Sequence, residues 1–349
     1  MQKGQFNKSD SLLTVAMNMV DRVDDVNPTK IGELMQTKAE LVFEQGNIAS
    51  ADSFYTISQQ IYEKELGKEH PLIADILNAR ASIARHNKNY EESEKLYLQA
   101  LNMRRKLFGD DHPDVAHSLN HLGRLMYQME RYPEAEDYAR KGLALRIKIF
   151  GKSSPETGAS MSNLAHILVK MNRYPEAADY YKQVLEIMNE VYKEDHPYKA
   201  ITASNLGVTL YRMGKAEQAE SYLKSGYKQL NKIFPSRNKR KISAMIVLGS
   251  LFLDQNKIED AAPLLKEAYA SCLQFYDKSN PYTAEAENAL GYYQAKMNNW
   301  DKAENLIKES YQILKQNYDE HNPIIKKADE RMVYLKTHID TKSRLTINE

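Results

Sequence analysis

The chain has 349 residues, 42% hydrophobic and 27% charged, and its 48 Lys and Arg residues nearly balance 47 Asp and Glu. A net charge of +1 supplies no molecule-wide field to gather nucleic acid or anionic membrane, so any such binding needs a local patch. The single cysteine, Cys272, excludes an intrachain disulfide and a multi-cysteine metal site, and points to a reducing compartment, the cytoplasm.

Near the start, Leu12, Leu13, Val15, Ala16, Met17, Met19 and Val20 form a short amphipathic stretch followed by acids. This predicts a capping helix near 8–24 within residues 1–28, and it lacks the pattern of a signal peptide. No uncharged run elsewhere approaches the roughly 20 residues of a membrane span. Prolines then recur at Pro71, Pro113, Pro155, Pro197, Pro281 and Pro323, each gap being 42 residues or twice that. The missing beat falls on Lys239, and Pro28 precedes the first expected position by one residue.

Two further series keep the same period. Ala39, Ala81, Gly123, Ala165, Gly207, Gly249 and Gly291 are all small, as are Ala51, Ser93, Ala135, Ala177, Ala219, Ala261 and Ala303. Small residues 12 positions apart in each unit suit two antiparallel helices whose backbones approach closely. Three residues before the second small site stands a bulky residue (Ile48, Tyr90, Tyr132, Tyr174, Ile258, Trp300), with Ala216 as the exception. Leu119, Leu122, Leu125 and Met126 carry helical spacing, and no strand alternation persists. The His-Pro and Asn-Pro steps read as an extended residue followed by proline in a first helical turn. Hairpins are therefore expected at 29–70, 71–112, 113–154, 155–196, 197–238, 239–280 and 281–322, with a cap helix at 323–338 and a frayed tail at 339–349.

With this lattice and the motifs Arg-Tyr-Pro-Glu-Ala-Glu-Asp-Tyr at 131–138 and Gly-Asp-Asp-His-Pro-Asp-Val-Ala at 109–116, the chain resembles the tetratricopeptide repeat family. It is most similar to the 42-residue variety of kinesin light chains and bacterial proteins. The resemblance implies an all-α, right-handed α-solenoid, a superhelix of seven helical hairpins with N- and C-terminal capping helices. The stretch Met17 to Asp25 also resembles the start of such regions in bacterial signalling proteins, which implies a sensory or docking region of a larger protein. Kinase motifs are absent from the sequence.

In this family the first helix of each hairpin lines a concave groove that binds a partner's peptide. Carried over by position, the resemblance implies groove residues Asn78, Ser82, Arg85 and His86, then Asn120, His121, Arg124, Tyr127 and Gln128. The next hairpins add Ser162, Asn163, His166 and Lys170, then Ser204, Asn205, Tyr211 and Arg212. Amides, tyrosines and one cation per hairpin suit an extended acidic peptide, whereas Glu33, Glu40 and Glu44 make the first hairpin acidic.

The run Arg237, Lys239, Arg240 and Lys241 is the densest positive patch, and it supports an alternative reading as a nucleic-acid-associated regulator. His117, His121 and His166 lack the acidic companion of a zinc site. No catalytic constellation, metal set or cofactor is expected, and Cys272 reads as packing. A protein or peptide is the expected partner, with no membrane; association with a second copy stays open.

Overall fold

The computed structural model describes residues 27–192 and 194–347, and the chain divides into two compact units, the first ending at Asn163 and the second beginning at Leu164. Every regular element among the described residues is an α-helix. The expected helix near 8–24 lies outside the described residues.

The first unit stacks α1 (Pro28–Glu44) with α2 (Ile48–Leu66), α3 (Pro71–His86) with α4 (Tyr90–Phe108), and α5 (Pro113–Gln128) with α6 (Tyr132–Phe150). Helix α7 (Pro155–Lys170) crosses the boundary. The second unit continues with α8 (Tyr174–Val191) and the pairs α9 (Pro197–Arg212) with α10 (Ala216–Ile233), α11 (Lys239–Asp254) with α12 (Ile258–Phe275), and α13 (Pro281–Lys296) with α14 (Trp300–Asn317). Helix α15 (Pro323–Ile347) closes the array and runs past 338, where the sequence pattern placed its end.

The periodic prolines occupy the first helical position, where no intrahelical N–H is needed. The residue before each supplies the cap. His70, His112 and His196 accept through Nδ1 from the backbone N–H two residues on, at 3.3, 3.2 and 3.3 Å, and Asn238, Asn280 and Asn322 do the same through Oδ1 at 3.0, 3.0 and 2.9 Å. The ring nitrogen thus stands in for an asparagine oxygen at an orphan helix N-terminus. Asn238 explains how the hairpin at Lys239 starts on the beat without a proline.

Both small-residue series lie at the helix contacts. Ala39, Ala81 and Ala165 of the first series, and Ala51, Ala135, Ala177, Ala219, Ala261 and Ala303 of the second, are wholly buried. Ser93 keeps the same place by donating its hydroxyl to the Ala81 carbonyl at 2.8 Å. At Gly207 the approach is closest: an added Cβ would stand 2.9 Å from the Leu223 backbone nitrogen. The bulky residues between the series each open a second helix, as Ile48, Tyr90, Tyr132, Tyr174, Ile258 and Trp300 do.

Each hairpin corner turns through one left-handed residue at the same period, among them Gly46, Asn172, Gly214 and Asn256. Lys88 and Glu130 hold the same conformation at φ 60° and 59°, a position that favours glycine or asparagine. On the rim, cation–carboxylate pairs recur 37 residues apart, Lys106 with Glu69, Arg131 with Glu94, Lys148 with Asp111 and Lys232 with Asp195. They join one hairpin to the hairpin before it; the exposed pairs each contribute little, and Arg131 with Glu94 is half-buried.

Candidate peptide-binding face

In the first unit the inner helices α3 and α5 carry most of the expected groove residues. Arg85 Nη1 donates to Gln128 Oε1 at 3.0 Å, which sets the α3 row directly beside the α5 row. Ser82 Oγ and His121 Nδ1 both meet the Tyr97 hydroxyl, at 2.7 and 3.3 Å, and His121 Nε2 lies 3.2 Å from His117 Nε2. Burial, then the neighbouring His117 and the guanidinium groups of Arg124 and Arg85, push His121 down to about 3. His117 is lowered by burial, then by Arg104 and Arg146. Two neutral rings can share one proton as donor and acceptor, so the pair carries no charge at neutral pH. Arg124, His86 and Gln128 stand exposed, while Tyr127 is half-buried against the Tyr132 ring at 5.8 Å.

Asn120 departs from the expectation. It is buried, its Nδ2 donates to the Ala116 carbonyl at 2.9 Å, and its Oδ1 accepts from Ser160 at 3.2 Å. The amide is consumed between helices and offers a ligand nothing. The same repeat position holds Ser204 and Asn288, which are also buried. Asn78, one repeat earlier, is half-buried and its Oδ1 has no partner. Ser162 and Asn163 on α7 are half-buried.

In the second unit the expected residues are drawn into contacts of their own. Asn205 and His166 meet at 3.1 Å, and Lys170 Nζ lies 5.8 Å from the Tyr282 ring centre. The Tyr211 hydroxyl donates to Asp254 at 3.1 Å, Arg212 stands 3.8 Å from Glu285, and Asp254 also pairs with Lys327 at 3.1 Å. Burial, then Glu285, act on the Arg212 guanidinium, whose pKa ends raised; Tyr211 is held well above its ordinary value by burial. Farther along, Asn172 donates to Asp319 at 3.4 Å and accepts from Asn322 at 3.2 Å. The loop after α7 therefore meets the loop before α15, and the unit curls until its inner helices bond one another. Sequence spacing gave no signal for these pairs, because their separations depend on curvature.

The basic run is not a free loop. Lys239, Arg240 and Lys241 form the first turn of α11. Lys241 is fully buried, with Nζ at 3.1 Å from Asn231 and 3.2 Å from Glu267, a partner sequence reasoning missed. Lys239 lies over the Tyr276 ring at 5.2 Å and Arg240 over Phe234 at 5.3 Å, and Arg237 remains exposed. Cations at a helix N-terminus are disfavoured by the helix dipole, and the rings offset part of that. Among the described residues no group of three or more His, Cys, Asp or Glu could hold a metal ion, and no helix is long and apolar enough to cross a membrane. Burial raises the Cys272 thiol to about 12, so it packs as an apolar group.

The sequence profile of the tetratricopeptide repeat family matches residues 72–148, 156–232 and 240–316. The chain belongs to that family, and each match takes in two successive 42-residue units. No curated protein matches the sequence. Among solved structures, BtubC (BKLC) from P. vanneervenii is 18% identical with a TM-score of 0.57, covering 68% of this chain and 95% of its own. A Rap protein complexed with Competence and Sporulation Factor is 14% identical with a TM-score of 0.57, over 97% of this chain and 94% of its own. The signal transduction ATPase with a tetratricopeptide repeat sensor from Pyrococcus horikoshii is 18% identical with a TM-score of 0.62, over 81% of this chain and 42% of its own. At these identities the likeness is one of fold.

Proposed function

We propose that the chain is a non-enzymatic scaffold that holds an extended, acidic segment of a partner protein on the inner helices of its first unit. The Arg85–Gln128 bond carries this reading, because it joins the rows of α3 and α5 into one polar strip. Along that strip Asn78, Ser82 and Arg85 are followed by His121, Arg124 and Tyr127. The exposed Arg124 guanidinium suits a carboxylate, and the neutral histidine pair adds hydrogen bonding without charge. Membership in a family of repeat scaffolds supports the same reading, and the Rap complex is a similar fold solved with a bound factor. A docking role within a larger cytoplasmic signalling protein is part of this proposal.

The test is a fluorescent peptide library, acidic and neutral members together, scored by anisotropy against the full chain. Acidic members should bind best, and alanine at Arg124 and Asn163 together should abolish their binding while far-UV circular dichroism stays unchanged. Undiminished binding by the double variant would remove this face from consideration. The alternative reading through Arg237, Lys239, Arg240 and Lys241 has lost one cation to burial; duplex binding that falls steeply with salt would revive it.

A further inference from the structure

The span 197–238, which holds α9 and α10, carries seven Lys and Arg residues against two acids, in a chain whose net charge is only +1. Part of this excess gathers at the edge where α9 begins and α10 ends. Lys232 Nζ donates to Asp195 at 2.8 Å, and that bond, with the charges of Lys232, Lys199 and Lys228, holds the Asp195 carboxyl below its ordinary range. Glu194 also faces Lys232. Lys199 and Lys228 form no ion pair among the described residues, and Arg237 stands exposed in the loop that follows α10.

Flat side chains interleave with these cations. The Tyr192 ring stacks on His196 with centres 3.6 Å apart and planes 7° apart, and His196 stacks in turn on Tyr198 at 5.6 Å. His196 is held in place by its cap on α9, where Nδ1 accepts from the Tyr198 backbone N–H. The outermost ring, Tyr198, is 65% exposed, the highest value for a large hydrophobic side chain among the described residues. One repeat on, Phe234 and Arg240 hold the positions of Tyr192 and Tyr198, and the Arg240 guanidinium lies 5.3 Å from the Phe234 ring centre. The lysines lie between these two platforms, because α10 ends beside Phe234 while its Lys232 reaches back to Asp195, next to His196.

We propose that this edge of the second unit binds single-stranded nucleic acid, with bases stacked on Tyr198 and Arg240 and the phosphates between them held by Lys199, Lys228 and Lys232. Planar bases alternating with anions are the chemistry that matches rings alternating with lysines. An acidic peptide would satisfy the lysines and leave the rings unused, and a duplex keeps its bases inside its own stack. A free nucleotide fills one platform, whereas the recurrence of the platform in the next repeat suits a strand that spans both. Arg240 fits this place, since its guanidinium can meet a base on one face while the other rests on Phe234. Asp195 competes with phosphate for Lys232 and so weakens binding. The edge shares no residue with the first-unit strip and does not rest on it.

The experiment titrates the full chain into labelled oligothymidylate and oligouridylate of about twelve nucleotides, within the range of single-strand sites, and reads anisotropy at several salt concentrations. An abasic strand of the same length, a duplex and thymidine monophosphate are the controls. One of the two single strands should bind tightest, and which one does so tells DNA from RNA. Its log affinity should fall against log salt with a slope of about −2, for three phosphates at about −0.7 each. Tyr198→Ala should weaken binding roughly five- to a hundredfold, the range for one stacked base, and leave the slope unchanged. Lys228→Gln should make the slope shallower by about 0.7, and Asp195→Asn should tighten binding. Strand binding that survives in the Arg124 and Asn163 double variant, while peptide binding is lost, would separate this edge from the first-unit strip. Absence of strand binding, equal binding of the abasic strand, the duplex or the mononucleotide, or unchanged affinity in folded Tyr198→Ala would overturn the proposal. Should Tyr198→Ala fail to fold, the comparison of intact and abasic strands decides alone.

Discussion

Gly123 and Gly207 occupy the same place in two hairpins, yet alanine at the two positions should move stability in opposite directions. At Gly123 the added Cβ meets the Ala135 carbonyl at 3.4 Å, the Ala139 nitrogen at 3.5 Å and the Tyr138 Cβ at 3.6 Å, all ordinary contacts. Nothing needs to shift, and the helix gains about 0.5–1 kcal/mol from replacing glycine by alanine. At Gly207 the same atom meets Leu223 Cγ at 2.6 Å and the Leu223 backbone nitrogen at 2.9 Å. The side chain can rotate, but the backbone of α10 must retreat from α9. Overpacking of this kind costs about 1–3 kcal/mol; after the propensity gain of about 0.5–1 kcal/mol, a net loss centred on about 1 kcal/mol and no larger than about 2.5 kcal/mol remains. Guanidinium unfolding followed by circular dichroism should therefore give a higher midpoint for Gly123→Ala and a lower one for Gly207→Ala. If Gly207→Ala matched or exceeded the unsubstituted chain, close backbone approach would not be what keeps that position small.

The neutral histidine pair makes the first unit sensitive to acid. Because His121 titrates near 3 when folded and near 6.5 when unfolded, the unfolded chain takes up its proton first. Stability should be fully present above about pH 6.5 and decline toward pH 3, by up to about 1.4 kcal/mol per pH unit; His121→Gln should flatten that slope in unfolding curves taken at pH 7 and pH 5. At Lys241, alanine should cost roughly 2 kcal/mol, below the usual penalty for breaking a buried pair because Glu267 can turn to water. Methionine there should cost less, since it keeps the buried stem; equal losses in the two variants, by the same unfolding assay, would mean that the pair and not the stem matters.

Much of the fold was written in the sequence because hairpin nesting constrains side-chain size and chain direction at fixed intervals. Proline can open a helix but not continue one, so Pro71, Pro113 and Pro155 marked starts that the structure shows at those residues. Alanine, glycine and serine marked the points where backbones meet. The left-handed corner also repeats every 42 residues, but Lys88 and Glu130 hide it from a search for glycine. The site was less legible. A repeat position says which helix a residue occupies, whereas the partner it finds depends on how far the stack curls. Asn120 and Ser204 therefore turned inward, and Arg331 met Ser250 two repeats away.

The bonds of Asn172 to Asp319 and Asn322 bear on how the second unit comes apart. A linear array of repeats loses structure from whichever end is weaker, one neighbour at a time. A stretch whose first corner is clasped to the loop before its last helix has that loop tied down, so the start of α15 is released only when that clasp opens as well. Hydrogen exchange of the terminal helix should then rise and fall together with that of the residues following α7, tying two segments far apart in the chain into one opening event.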